Sequence, residues 1–267
     1  MTFLVLALAG IIGIILGLVG AGGAIIAVPI LVYLMGIDQS VASGYALFTI
    51  AIASAVGAVP YVRRHEVYWT AVYSFGSVAL VTTGMVRRFV VPMIPQSFIV
   101  AGDRVTDDTF LMIAFALMMF IAAIGMIRAG TGSETREPAP ASRLAIAGFV
   151  VGLLSAVLGV GGGFLIVPAL VLWSGIDMKR AVGTSLVLIS ANSTIGVLAD
   201  MTSGMDYDWS FLLTFTGLMS AGILVGARLS RHIDGQRLKT GFGWLVLCIG
   251  TIVVSLEFWK LVIAIVE

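Results

Sequence analysis

Apolar residues run along this chain in long blocks, separated by short clusters of charge. Stretches free of Asp, Glu, Lys and Arg cover 1–37, 39–62, 67–86, 109–127, 144–176, 181–199, 209–227 and 240–256. Six of the eight are 17–24 residues long, and a helix needs about 20 residues to cross a hydrocarbon core. A membrane β-barrel would alternate polar and apolar residues over segments of about 10. These blocks are continuous, so each predicts helix.

Two blocks, 1–37 and 144–176, are too long for one crossing. Each is interrupted by glycine: Gly20-Ala21-Gly22-Gly23 in the first, Gly159-Val160-Gly161-Gly162-Gly163 in the second. Glycine is unfavourable inside helices and tolerates backbone conformations that other residues avoid. Each block therefore reads as two helical arms joined at a glycine turn. The second arm, ending near Tyr33 or Trp173, is too short to cross alone and is expected to re-enter. The start of the chain has no Lys or Arg before its apolar run, unlike a signal peptide, and is read as part of the fold.

The two broken blocks are copies. A shift of 139 residues carries Gly13 to Gly152, Gly20 to Gly159, Gly22-Gly23 to Gly161-Gly162 and Pro29 to Pro168. The same shift carries Gly36-Ile37-Asp38 to Gly175-Ile176-Asp177, Ala42 to Ala181, Gly44 to Gly183 and Gly57 to Gly196. One further residue brings Trp69 onto Trp209. Matched Gly, Pro and Asp in order mark a duplication. The halves are 1–127 and 144–267, joined by the polar, Pro-containing linker 128–143, expected in the cytoplasm. The segment 87–108 reads as a second loop.

Charge predicts the relative orientation of the halves. The loop holding Arg63 and Arg64 is basic, whereas its counterpart near Asp200, Asp206 and Asp208 has no basic residue; Lys179-Arg180 is basic where Gln39-Ser40 is neutral. Because cytoplasmic loops collect Lys and Arg, this reversal predicts inverted repeats. With 63–66, 128–143, 177–180 and 228–239 in the cytoplasm, both termini lie outside, and Arg87, Arg88 and Arg104 break the rule. The expected architecture is an all-α membrane protein of two inverted repeats. Each repeat would hold one glycine-broken re-entrant hairpin and three transmembrane helices.

Composition agrees with this class. The chain is 60% apolar and 11% charged over 267 residues, with a net charge of +1. Soluble domains carry about 25% charged residues, and no basic stripe suits nucleic acid. Cys248 is the single cysteine, expected as a small buried group, and His65 and His232 are the only histidines. No multi-cysteine or multi-histidine metal site and no cofactor are expected. An intramembrane enzyme would need a nucleophile and base at depth, and no Gly-x-Ser-x-Gly or His-Glu-x-x-His pattern is present.

Inverted repeats with interrupted helices place substrate near the midplane in secondary transporters. Backbone N–H groups freed at a glycine break carry partial positive charge and suit a small anion. The apolar blocks hold no Lys, Arg, Asp or Glu, so an anion would be held by dipoles. Candidate contacts are Gly20, Gly22, Gly23, Gly159, Gly161, Gly162 and Gly163 at the breaks, with Thr184, Ser185 and Asn192 from the polar block 181–199. The first half offers Tyr45, Thr49 and Ser54 at the corresponding level. Gly13 and Gly17 read as helix packing, Asp38 and Asp177 as helix N-caps. The expected partners are a small anionic substrate and the lipid bilayer, with a homodimer as a further candidate arrangement.

Gly159-Val-Gly-Gly-Gly-Phe-Leu-Ile-Val-Pro168, followed by Gly175-Ile-Asp and Ala181-Val-Gly-Thr-Ser185, resembles the sulfite exporter TauE/SafE family, and Gly20 to Pro29 with Gly36-Ile-Asp repeats the pattern. The resemblance covers both halves. It implies an inner-membrane carrier that exports sulfite or a small organosulfonate such as sulfoacetate; the alternatives are a passive anion channel, a structural membrane subunit, or a carrier of another small carboxylate or inorganic anion. Ala24 stands where the third glycine would be, and Tyr45-Ala46 stands where Thr-Ser would be. The two halves are thus expected to contribute unequally.

Overall fold

The computed structural model describes residues 2–20, 27, 30–31, 36, 39–90, 97–100, 103–128, 139–158, 163–201 and 208–266. Helix α1 (Thr2–Val19) stops at Gly20, whose φ of 79° lies in the left-handed region that glycine enters without a Cβ penalty. Helix α2 (Gln39–Arg63) follows, then α3 (69–90), whose helical backbone widens into π-type turns at Val72–Gly76 and Val86–Val90. Strands β1 (Ser97–Val100) and β2 (Asp103–Thr106) pair antiparallel, Ser97 opposite Thr106, and lead into α4 (Asp107–Arg128). The expectation of a plain loop over 87–108 is thus corrected: backbone pairing in a short hairpin satisfies part of it.

Helix α5 (Ala141–Leu158) precedes a short α6 (163–173), which ends at Trp173 as the length argument requires. Helices α7 (Met178–Met201), α8 (Trp209–Leu229) and α9 (Gly235–Val266) complete the second half. Gly36 and Gly175, which open the two Gly-Ile-Asp motifs, each have φ 66°. Asp177 caps α7 by accepting from the Arg180 N–H at 3.0 Å, while Asp38 lies outside the described residues. Among the described residues, four helices are long and apolar enough to cross a membrane, at Gly44–Arg63, Met178–Leu198, Trp209–His232 and Gly235–Ser255. Cys248 is exposed on α9 rather than buried. In a bilayer an outward apolar group meets lipid, so low polarity does not imply an interior position.

Packing joins the halves. Helix α1 crosses α8 in parallel, so closely that a methyl group at Gly13 or Gly17 would overlap the carbonyl oxygens of Met219 and Ile223. Helix α5 crosses α3 in the same way, and a Cβ on Gly152 would lie 2.6 Å from the Ala79 oxygen. Gly13 and Met219 are the repeat equivalents of Gly152 and Ala79. Small residues at such crossings let backbones approach and gain dispersion contacts.

Helices α2 and α7, which are repeat equivalents, pack antiparallel. Tyr61 lies against Gly183, the Ser190 hydroxyl donates to the Ala51 carbonyl at 3.1 Å, and Leu47 lies against Gly196. The equivalents α4 and α9 are also antiparallel, Ala123 and Ile127 meeting Gly243 while Met119 meets Gly250.

One end of the molecule gathers the turns after α2, before α7 and after α8. Arg64 donates to the Ala227 carbonyl at 3.4 Å, and Lys179 donates to the Arg231 carbonyl at 3.4 Å. The Ala139 N–H reaches the Ser174 carbonyl at 3.1 Å, which brings the end of the linker there too.

Candidate functional site

Helix α7 carries the three polar candidates, and its spacing sends them to different neighbours. Thr184 and Ser185 are fully buried, two turns into the helix. The Thr184 hydroxyl accepts from the Tyr68 N–H at 2.9 Å, at the entry of α3, where Tyr68 has extended backbone. Its repeat equivalent is Tyr45, whose hydroxyl accepts from the Asp208 N–H at 2.7 Å at the entry of α8. Asp208 is likewise extended and caps α8 through its carboxylate. A helix entry leaves N–H groups without partners, so a hydroxyl from a neighbouring helix there satisfies a part-buried one. The Tyr45-Ala46 departure from Thr-Ser therefore keeps the first hydroxyl and loses the second.

That second hydroxyl belongs to Ser185. It donates toward the Gly20 carbonyl at 3.1 Å and lies 2.8 Å from the carbonyl of Val182 in its own helix. A Cβ on Gly20 would come within 2.5 Å of Ser185 Oγ and 3.0 Å of Val182 Cα. Gly20, the first residue of that break, is thus seated directly on α7. Ser185 and Gly20 meet, as two of the proposed site residues; Thr184 faces the start of α3 instead.

Asn192 lies two turns further along and is half-buried. With Ala79 and Thr83 of α3, Gly152 and Ser155 of α5, and Ile166 of α6, it lines a cleft whose inner cavity is about 30 Å³, room for a water-sized group. The Thr83 hydroxyl donates to the Gly152 carbonyl at 3.0 Å, bridging α3 and α5. Gly163 is buried at the start of α6. Gly22, Gly23, Gly159, Gly161 and Gly162 lie outside the described residues.

Two features were not visible as site chemistry in the sequence. Tyr61, 1% exposed, donates its hydroxyl to the Gly17 carbonyl at 2.8 Å and sits 2.8 Å from Ser230 Oγ, linking α1, α2 and α8. Lys239, assigned from charge to the polar stretch 228–239, is 4% exposed within α9. Neither breaks the apolar pattern enough to stand out, because each sits at a helix end beside exposed charges. Among the described residues no group of His, Cys, Asp or Glu is placed to hold a metal ion.

A family model described as Sulfite exporter TauE/SafE matches residues 4–253. The chain is 26% identical over 265 residues to a "Probable membrane transporter protein" of Xylella fastidiosa (strain Temecula1 / ATCC 700964), covering 95% of each chain. It is 28% identical over 272 residues to "Probable membrane transporter protein YunE" of Bacillus subtilis (strain 168), covering 94% of this chain and 96% of that one. A shorter match, 27% over 118 residues, reaches "Sulfite exporter TauE/SafE family protein 5" of Arabidopsis thaliana, covering 42% of this chain and 26% of that protein. No solved structure matches the chain.

Proposed function

Because the chain belongs to the sulfite exporter TauE/SafE family of membrane transporters, we propose that it is a secondary transporter exporting a small sulfur-containing anion, sulfite or a small organosulfonate such as sulfoacetate. The two halves work as inverted repeats that alternate access to a site between them. The observation that carries this reading is the antiparallel packing of the equivalent helices α2 and α7, with their equivalent hydroxyl contacts, Tyr45 to Asp208 and Thr184 to Tyr68, at opposite ends of the pair. A symmetry element lying in the membrane plane produces that arrangement, and rocking of two such halves exchanges an outward for an inward opening.

The substrate is held by hydroxyl, amide and backbone N–H groups rather than by an ion pair. Asn192 on α7, together with the glycine turns, supplies donors of this kind, and Ser185 joins them only when its bond to the Gly20 carbonyl opens. The basic turns at 63–66, 177–180 and 228–239 gather at one end, which supports a cytoplasmic assignment for that end and an external one for the termini, in the inner membrane of a bacterial-type cell. A second copy of the chain is a proposed partner.

Reconstituted vesicles test the function. Uptake of sulfite or sulfoacetate is expected to saturate with concentration and to accelerate when the same anion is loaded on the far side. Linear, non-saturating flux would replace the carrier by a channel. Absence of flux for every sulfur anion, with carboxylates carried instead, would overturn the substrate class. Asn192→Ala is expected to slow uptake on the order of tenfold, the value of about one hydrogen bond to a charged group.

A further inference from the structure

The repeat makes it possible to compare each wall of the Asn192 cleft with its counterpart in the other half. Ala79 and Thr83 of α3 correspond to Met219 and Ile223 of α8; Ser155 of α5 corresponds to Leu16 of α1; Asn192 of α7 corresponds to Ala53 of α2. Every residue of the second set is apolar and completely buried, at 0% exposure. Ile223 fills its space so fully that a Cβ on Gly57 would overlap its side chain. In the first set three of the four are polar; Ala79, Thr83 and Asn192 are half-buried, and Ser155 retains 5% exposure. Duplication thus left two equivalent grooves, and side-chain volume has closed one while polar groups line the other.

The seal on the first break is asymmetric in the same sense. Ser185 ties α7 to the Gly20 carbonyl, and its equivalent on α2, Ala46, has no hydroxyl. We infer that the anion site is single rather than two-fold, and that it forms in the cleft between α3, α5, α6 and α7 when that cleft widens beyond the water-sized space it has here. There Ser155 and the Asn192 amide donate to the oxygens of a sulfonate or sulfite, while Thr83 holds α3 against α5 through the Gly152 carbonyl. The α1–α8 groove is packing. This inference rests on the reading of the chain as an anion carrier and names where in it the anion sits.

Thiol accessibility tests the two grooves side by side. In a Cys248→Ser background, Ser155→Cys and Asn192→Cys are compared with their equivalents Leu16→Cys and Ala53→Cys, in purified full-length protein in vesicles. The probe is a small anionic alkylthiosulfonate. Ser155→Cys and Asn192→Cys are expected to react on the order of tenfold faster than their equivalents, since thiol modification follows access to water, and sulfoacetate is expected to slow the same reaction at Ala79→Cys, a cleft wall that donates nothing to the anion. Serine to cysteine and alanine to cysteine are small changes, so the Ser155 and Ala53 variants decide the result even where Leu16→Cys does not fold. Equal rates at Ser155→Cys and Ala53→Cys, or no labelling of Ser155→Cys, would overturn the single-cleft assignment. Labelling slowed by a carboxylate but not by sulfoacetate supports the cleft and overturns the sulfur anion proposed above. Fast labelling that no anion slows overturns the cleft as a binding site.

Discussion

At Thr184 the hydroxyl that the sequence offers to a ligand is already joined to backbone, at the Tyr68 N–H. A fully buried N–H left without its acceptor costs about 1–3 kcal/mol, and the part-buried Tyr68 N–H stands at the low end of that range. Thr184→Val, which keeps the shape and removes the hydroxyl, is therefore expected to lower stability by about that amount and Thr184→Ser to restore most of it, as read by thermal unfolding in detergent. An unchanged melting temperature with abolished transport would instead place Thr184 on the substrate. Tyr45→Phe is the matching change for Asp208 and should behave alike. Residue type alone could not separate these roles, because a threonine hydroxyl suits a sulfonate oxygen and a peptide N–H equally well. Gly20 was legible for a different reason. Its φ of 79° and its closeness to Ser185 demand glycine, and a demand of that kind leaves a mark in sequence.

At the scale of elements, the glycines divide by what lies over them. Gly13 and Gly17 on α1 meet the α8 backbone, whereas nothing lies within 4 Å of a Cβ built on Gly10. Gly13→Ala is expected to reduce the folded fraction sharply and Gly10→Ala to leave it unchanged, measured by the monodisperse peak in size-exclusion chromatography. The small-xxx-small spacing predicted packing, and it does pack. The partner helix came only from the structure, because a glycine stripe records a close approach without recording what approaches. Helix positions were readable from the charge-free blocks only in part: a charge inside a hydrocarbon layer costs several kcal/mol and so marks the apolar stretch, whereas the helices run on past it, α3 to Val90 and α9 from Gly235 to Val266. The 87–108 hairpin was missed because its strands are only four residues each, too short for alternation to show.

For the whole molecule, the turns at one end predict a specific cross-link. A Cβ on Gly235 would stand 3.9 Å from the Cβ of Met178, within the range a disulfide spans. Gly235→Cys with Met178→Cys, in a Cys248→Ser background, is expected to lose both free thiols on mild oxidation and to regain them on reduction. Persistent free thiols would separate the α7 and α9 starts and undo the gathering of basic turns at one end. The sequence alone put this chain in a membrane, located its apolar blocks and offered duplication as a reading, because each of these rests on something local: a charge in hydrocarbon, a glycine turn, a repeated motif. Only the tertiary structure decided which helices touch, that Thr184 and Tyr45 share one task, and that one of two equivalent grooves is filled. Those depend on distances between residues far apart in the chain, and no local cost encodes them. The scarcity of charge still bounds the chemistry: whatever the open groove holds is met by hydroxyls, an amide and backbone.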